Sequence, residues 1–222
     1  MKNPWVTLPY EKPYVLPEDK QEILKYNKKV NKDENLIRTE LIPEPYLGDP
    51  SSEIILLNLN PGFSIKDKLF HNDNDYFIKS CRKNLLHKDQ EYPFYLLDPK
   101  NSKAPGYKWW TQKLKKLINK FGNKAVANNI FCIEFFPYHS IKFKLNKNIL
   151  FSQKYSFYLL RKAIKRDTLI VIMRSRKIWL ENVPELEKCN YYELNSPQNP
   201  CLTPNNLPDG YDELIKIIEK RV

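Results

Sequence analysis

Two runs of almost unbroken apolar residues, EIILLNLN at 53–60 and TLIVIM at 168–173, set the tightest limit on what this chain can fold into. A strand that alternates apolar and polar side chains rests one face on a core. A short continuously apolar run instead needs cover on both faces, as a parallel strand in an α/β protein has. Segments 129–136 (NIFCIEFF) and 191–194 (YYEL) read as two further strands. Helical patterns lie between them. Over 107–121 the apolar residues Trp110, Leu114, Leu117, Ile118 and Phe121 share one face, with Lys113, Lys115, Lys116 and Lys120 elsewhere. A second helix is expected over 152–165 with Ser152 as its N-cap, and a last one from near Asp209 with Tyr211, Leu214, Ile215 and Ile218 inward. This alternation predicts a three-layer α/β/α fold with a central four-stranded parallel sheet, right-handed crossovers, and a site beyond the carboxyl ends of the strands.

The 222 residues suit one domain, with a core over 51–222 preceded by a proline-punctuated arm over 1–50 that holds one helix at about 18–29. A hydrophobic content of 41% with 13% aromatics excludes a disordered chain, and no run approaches the roughly 20 apolar residues of a membrane span. Pro9, Pro13 and Pro17, with charges between them, stand where a signal peptide would have its apolar centre, so a soluble cytoplasmic monomer is expected. Cys81, Cys132, Cys189 and Cys201 form no C-x-x-C clip and are read as free thiols. His71, His87 and His139 are equally dispersed, with no local metal-ligand spacing, and neither a metal nor another cofactor is expected. The net charge of +11 and pI near 9.3 suit a polyanionic partner such as DNA. Since 30 of the 37 basic residues are Lys, a bias of base composition explains the charge equally well.

The residues after the predicted strands carry the chemistry. Asn60-Pro61-Gly62-Phe63-Ser64 follows the first. Asn-Pro and Pro-Gly are turn dipeptides in any protein, but a turn here also presents the Asn60 amide at the sheet edge, where it can hold a water. Pro137-Tyr138-His139-Ser140 follows the second strand, and His139 reads either as a loop histidine or as a group that stabilises a departing anion. Arg174 and Arg176 after the third either bind phosphate or face solvent on the next helix. Trp109 and Trp110 read as core.

Asn-Pro-Gly after a buried strand resembles the G-x-N-P-G motif of the mismatch-specific and single-strand-selective branches of the uracil-DNA glycosylase superfamily. The order of later segments over about 53–207 is similar too: Pro93-Phe94-Tyr95-Leu96, then Lys108-Trp109-Trp110, the strand ending at Glu134, and the loop Asn195-Ser196-Pro197-Gln198-Asn199-Pro200-Cys201-Leu202. The resemblance implies a glycosylase that flips a damaged or modified base out of DNA and hydrolyses its N-glycosidic bond. Asn60, His139 and Asn195 would be catalytic, and Pro61, Gly62, Phe63, Phe94 and Glu134 would hold the base. Ser64, Arg174, Arg176, Ser196, Pro197 and Gln198 would touch DNA, with Leu202 as a wedge in the duplex or else a simple loop anchor. Three positions depart from the family pattern: Asn58 replaces the first glycine, the last loop lacks a histidine, and the second strand ends in Glu134.

An ionised Glu134 accepts hydrogen bonds and donates none, so it would oppose the O4 carbonyl of uracil; a base bearing adjacent donors is the expected substrate. A non-catalytic nucleic-acid-binding module and a small-molecule nucleoside or nucleotide enzyme are the alternative functions on the same fold.

Overall fold

A computed structural model describes residues 1–144 and 148–221. Its centre is three parallel strands, β2 (Ile54–Asn58), β3 (Ile130–Glu134) and β4 (Leu169–Ile172), in which every residue is buried. Successive side chains of a strand point to opposite faces, so complete burial means that both faces are covered. The apolar runs encode this.

Two short strands extend the sheet, which runs β1-β3-β2-β4-β5. β5 (Tyr192–Glu193) pairs parallel with β4, while β1 (Tyr46–Leu47) pairs antiparallel with β3. The expected four-stranded parallel sheet is therefore corrected to five strands of mixed direction. The extra strand comes from the N-terminal arm. Pro43, Pro45 and Pro50 surround it, and Gly48, at φ +102°, turns the chain where a Cβ would run into the Ile130 carbonyl.

Helices fill the connections. α1 (Pro17–Lys29) lies in the arm, and α2 (Ile65–Asp73) and α3 (Asp75–Leu85) follow β2. The single helix expected over 107–121 is two, α4 (Pro105–Lys113) and α5 (Lys115–Asn129). The break has a local cause: the Lys113 carbonyl accepts the Leu202 N–H at 2.9 Å and so leaves the helical ladder. α6 (Phe151–Lys165) follows β3, and its first turn is closed by Gln153 Oε1 accepting the Leu150 N–H, with Ser152 inside the helix. α7 (Arg176–Asn182) and α8 (Tyr211–Glu219) complete the chain. No helix among the described residues is long and apolar enough to cross a membrane.

The order of the strands positions the site. From β2 the chain moves to β3 on one side and later to β4 on the other, so the strand order reverses at β2. In open α/β sheets a crevice forms at the carboxyl ends beside such a reversal.

Candidate functional site

A cleft of about 310 Å³ lies at that place, lined by the segments that follow β2, β3 and β4 and by α2 and α4. This is the low end of the ~300–1,000 Å³ usual for small-molecule sites. Asn60, Pro61, Gly62, Phe63, Ser64, Glu134, His139 and Arg174, all singled out from the sequence, line it together.

The segment after β2 is held at three points. Asn60 Nδ2 donates to the Pro61 carbonyl at 2.8 Å and to Ser140 Oγ at 3.1 Å, so the orientation of the amide is set and Oδ1 has no protein donor among the described residues. Ser64 caps α2 with a reciprocal box, Asp67 Oδ2 accepting the Ser64 N–H at 2.7 Å while Ser64 Oγ accepts the Asp67 N–H at 3.3 Å. His139 provides the third hold, with Nδ1 2.7 Å from the Gly62 carbonyl and Nε2 2.9 Å from the Ile42 carbonyl. Each ring nitrogen faces a backbone carbonyl, one on either side of the imidazole. His139 thus clamps the Asn60 turn to the arm and keeps no nitrogen for a ligand. The direct catalytic role expected of it does not fit this geometry, because both ring nitrogens are taken up by backbone carbonyls.

The floor of the cleft is polar and incompletely satisfied. Asn58 and Glu134 are neighbours in the β2–β3 register, and Asn58 Nδ2 donates to Glu134 Oε1 at 2.9 Å. Asn58 Oδ1 and Glu134 Oε2 are both buried without a partner, as are His71 Nδ1 and Arg174 Nε. Buried polar atoms are satisfied in the great majority of cases, and four orphans around one cleft leave bonding capacity there for a ligand or water. Burial pushes the Glu134 carboxyl up to about 8; Glu44 nearby adds to this, and the Asn58 hydrogen bond and Arg174 oppose it. Glu134 is therefore mainly a neutral acid at pH 7. The premise that it is ionised, on which uracil was expected to be a poor substrate, is corrected by burial that the residue type alone does not reveal.

Glu44, His71 and His139 come from distant parts of the chain, yet one ligand atom of each lies within 4.8 Å of the others. Residues so far apart in the chain leave no local spacing by which such a trio could be read. Its bonding is not that of an open ligand set, because both His139 nitrogens face carbonyls and Glu44 Oε1 accepts from Tyr95 Oη at 2.7 Å. Burial holds the His71 imidazole well below its usual range and raises the Glu44 carboxyl, which His139 draws back down.

The walls are aromatic. Phe63 lies under the Arg38 guanidinium at 4.6 Å, and half-buried Trp109 lies under Arg174 at 5.8 Å and edge-on to Trp110. Phe70 and Phe77 complete this side. Trp109, expected in the core, is a cleft residue because it lies off the buried stripe of α4. Phe94 corrects the other way: it is fully buried, edge-on to Trp110 at 4.9 Å, and does not line the cleft.

The last loop is at the same sheet edge, two strands over. Asn195 is exposed with Nδ2 donating to the Asn205 carbonyl at 3.0 Å, outside the cleft, so its expected catalytic role is corrected. Ser196, Pro197 and Gln198 are exposed, and the Gln198 carbonyl accepts from Arg174 Nη2 at 3.4 Å. Arg176 also points away, bonded to Tyr191 Oη and paired with Glu193 at 2.7 Å. Leu202 is fully buried, which corrects the wedge to the loop-anchor alternative. Asn58, Ser140, His71 and Glu44 were missed as site residues; only Asn58 carried a signal, as the residue replacing a motif glycine.

Comparisons with protein-family models, curated proteins and solved structures find no match to this chain.

Proposed function

We propose that the chain is a DNA glycosylase-like hydrolase that receives an extruded base in this cleft and releases it by water attack on the sugar. The observation that carries the reading is the fixed Asn60 amide, whose Oδ1 takes no donor from the described residues, in a residue that lines the same cleft as Asn58 and Glu134 with their orphaned atoms. An amide oxygen holds a water by accepting its proton in a hydrogen bond but does not remove that proton. The water oxygen forms the new bond to the sugar carbon as the C–N bond breaks, the base leaves with the electron pair, and the water's proton passes to solvent. Charge develops on the base, so donors placed around it carry the catalysis. Arg174, with an unpartnered Nε at the cleft, is suited to this. The net charge of +11 suits a polyanionic partner, and Arg174 is the cationic side chain that the cleft lining supplies.

Burial of Leu202 removes the residue expected as a wedge from contact with a duplex. Extrusion from a paired duplex costs a few kcal/mol, and mispaired or single-stranded bases cost less. The reading therefore favours substrates whose base is already unpaired. The test is incubation with oligonucleotides each bearing one uracil, hypoxanthine or other modified base, followed by alkali to cut at abasic sites; a lack of cleavage across the panel refutes it.

A further inference from the structure

A second concavity, on the N-terminal arm, gathers more cations than the cleft does. It is a groove of about 670 Å³ lined by Lys25 and Lys29 of α1, Lys32 just beyond it and Lys144 after β3. Glu22, Lys25, Tyr26 and Lys29 recur at helical spacings of three and four, so α1 turns one stripe of its surface into the groove. The facing wall, residues 31–35, is held in place from both ends. Asn27 Nδ2 donates to the Ile37 carbonyl at 2.9 Å, Asn27 Oδ1 accepts the Ile37 N–H at 3.0 Å, and the Lys142 N–H donates to the Glu34 carbonyl at 2.8 Å.

The charges of this groove are unbalanced. Its two carboxylates are engaged: Glu34 pairs with Lys142 at 2.9 Å, and Glu22 Oε2 accepts from Asn148 Nδ2 at 2.9 Å. The four lysines are exposed, and none has an ion-pair partner among the described residues. A lysine in the last turn of a helix offsets the helix dipole, which accounts for Lys29; Lys25, Lys32 and Lys144 lie outside that turn. The groove also adjoins the cleft. Tyr26, Asn35 and Lys144 line both the groove and a thin crevice that reaches Ser140, and Ser140 lines the cleft. Ile141 is at the cleft and Lys144 at the groove, three residues apart, a span of at most about 11 Å.

We propose that this groove is the path of a nucleic-acid single strand leaving the cleft: Lys25, Lys29, Lys32 and Lys144 meet its phosphates, and half-buried Tyr26 stacks on one of its bases. The inference rests on the glycosylase reading for the class of polyanion. A positively charged groove that tracks the backbone, with an aromatic side chain for a base to stack on, holds single strands without regard to their sequence. Phosphates recur about every 3.4 Å along one strand at the duplex rise, so a strand with a nucleotide in the cleft reaches the groove within about three nucleotides. An acidic protein segment would satisfy the lysines equally well but brings no base to Tyr26.

The experiment titrates the whole protein into a fluorescein-labelled oligothymidine of about 15 nucleotides, which involves no base release, and follows anisotropy from roughly 50 to 200 mM salt. The triple variant Lys25→Gln, Lys29→Gln, Lys32→Gln should bind at least about tenfold more weakly at the lowest salt and lose about two from the salt slope, at about 0.7 per phosphate of a single strand. Arginine at the same three positions should keep both. A control triple variant, Lys165→Gln, Lys216→Gln, Lys220→Gln, removes the same charge from exposed positions away from the groove, Lys165 just before β4 and the other two on and just after α8. It should change the slope little. Tyr26→Leu should lower affinity about fivefold with the slope unchanged, the mark of lost stacking. Equal losses in the two glutamine variants, wild-type affinity in the groove variant or in Tyr26→Leu, competition by polyglutamate as strong as that by unlabelled oligothymidine, or no binding by the wild type overturns the inference. Base release is scored separately. Abasic product with an unaffected groove variant refutes the groove and leaves the glycosylase; the expected losses without abasic product from any modified base do the reverse.

Discussion

Asn60 Nδ2 donates to Ser140 Oγ across 3.1 Å, tying the turn after β2 to the segment after β3. The Ser140 N–H returns to the Pro61 carbonyl at 3.3 Å, so the two segments hold each other. The pair separates two roles in one measurement. Asn60→Ala should lower base release by at least 100-fold, the scale of losing a group that acts in the transition state, while Ser140→Ala, which leaves the amide in place but loosely oriented, should lower it by about tenfold. Asn60→Ala should unfold within about 1 kcal/mol of the wild type, since Asn60 is only half-buried, and Ser140→Ala, which removes a buried hydroxyl acceptor, should cost roughly 1–2 kcal/mol. Single-turnover rates with matched urea titrations check this.

His139 is expected to behave differently because it holds backbone and touches no ligand. His139→Ala leaves the Gly62 and Ile42 carbonyls without their donors in a buried place and should cost roughly 2–4 kcal/mol. Base release should fall with it through displacement of the Asn60 turn. Unchanged stability in urea would show that the clamp is not formed.

Glu134 makes stability depend on pH in a defined direction. Its carboxyl titrates at about 8 in the folded chain against 4.5 when unperturbed, so the folded state binds the proton more tightly. The associated stability is complete below the lower value and is lost as pH rises through the higher one, by about 1.4 kcal/mol per unit between them. Glu134→Gln lacks this dependence. From pH 5.5 to 7.5 the wild type should lose roughly 2–3 kcal/mol relative to the variant, measured by urea denaturation at each pH. Parallel stability curves would place Glu134 in a more polar setting.

Binding to DNA should be strongly salt-dependent. Neutralising phosphates releases counterions, and the logarithm of affinity should fall with the logarithm of salt by about 0.9 per phosphate contacted. Arg174→Gln should reduce that slope by about one if its guanidinium meets a phosphate, whereas Arg176→Gln should leave it nearly unchanged, because Arg176 is already paired with Glu193. Retention assays from 50 to 200 mM salt, roughly the range over which such slopes are resolved, distinguish the two.

How much of this was legible in the sequence depended on whether a local pattern reported burial. The central strands were visible because two-sided cover leaves continuous apolar runs, and the predicted segments contain β2, β3, β4 and β5. β1 carries no such pattern: Tyr46 and Leu47 stand among prolines, and only their pairing with β3 makes them a strand. α2 exposes Ile65 and Leu69 and so shows no core stripe, although Ser64 and Asp67 three residues apart were a readable cap. Within the site, residues directly after a strand were found because the sheet edge itself was predicted. The clamp by His139, the partnership of Asn58 with Glu134 and the raised titration of Glu134 all arise from contacts between distant segments, which no local spacing encodes.

The proposed reaction is release of a base in this cleft by water held at Asn60. It is tested most directly by incubating wild type and Asn60→Ala with single-stranded oligonucleotides carrying one modified base each, then quantifying alkali-labile sites. The wild type should give abasic product from at least one of these bases, and Asn60→Ala at least 100-fold less, a loss appropriate to a transition-state contact. No product from any oligonucleotide, or equal product from the two proteins, would contradict it.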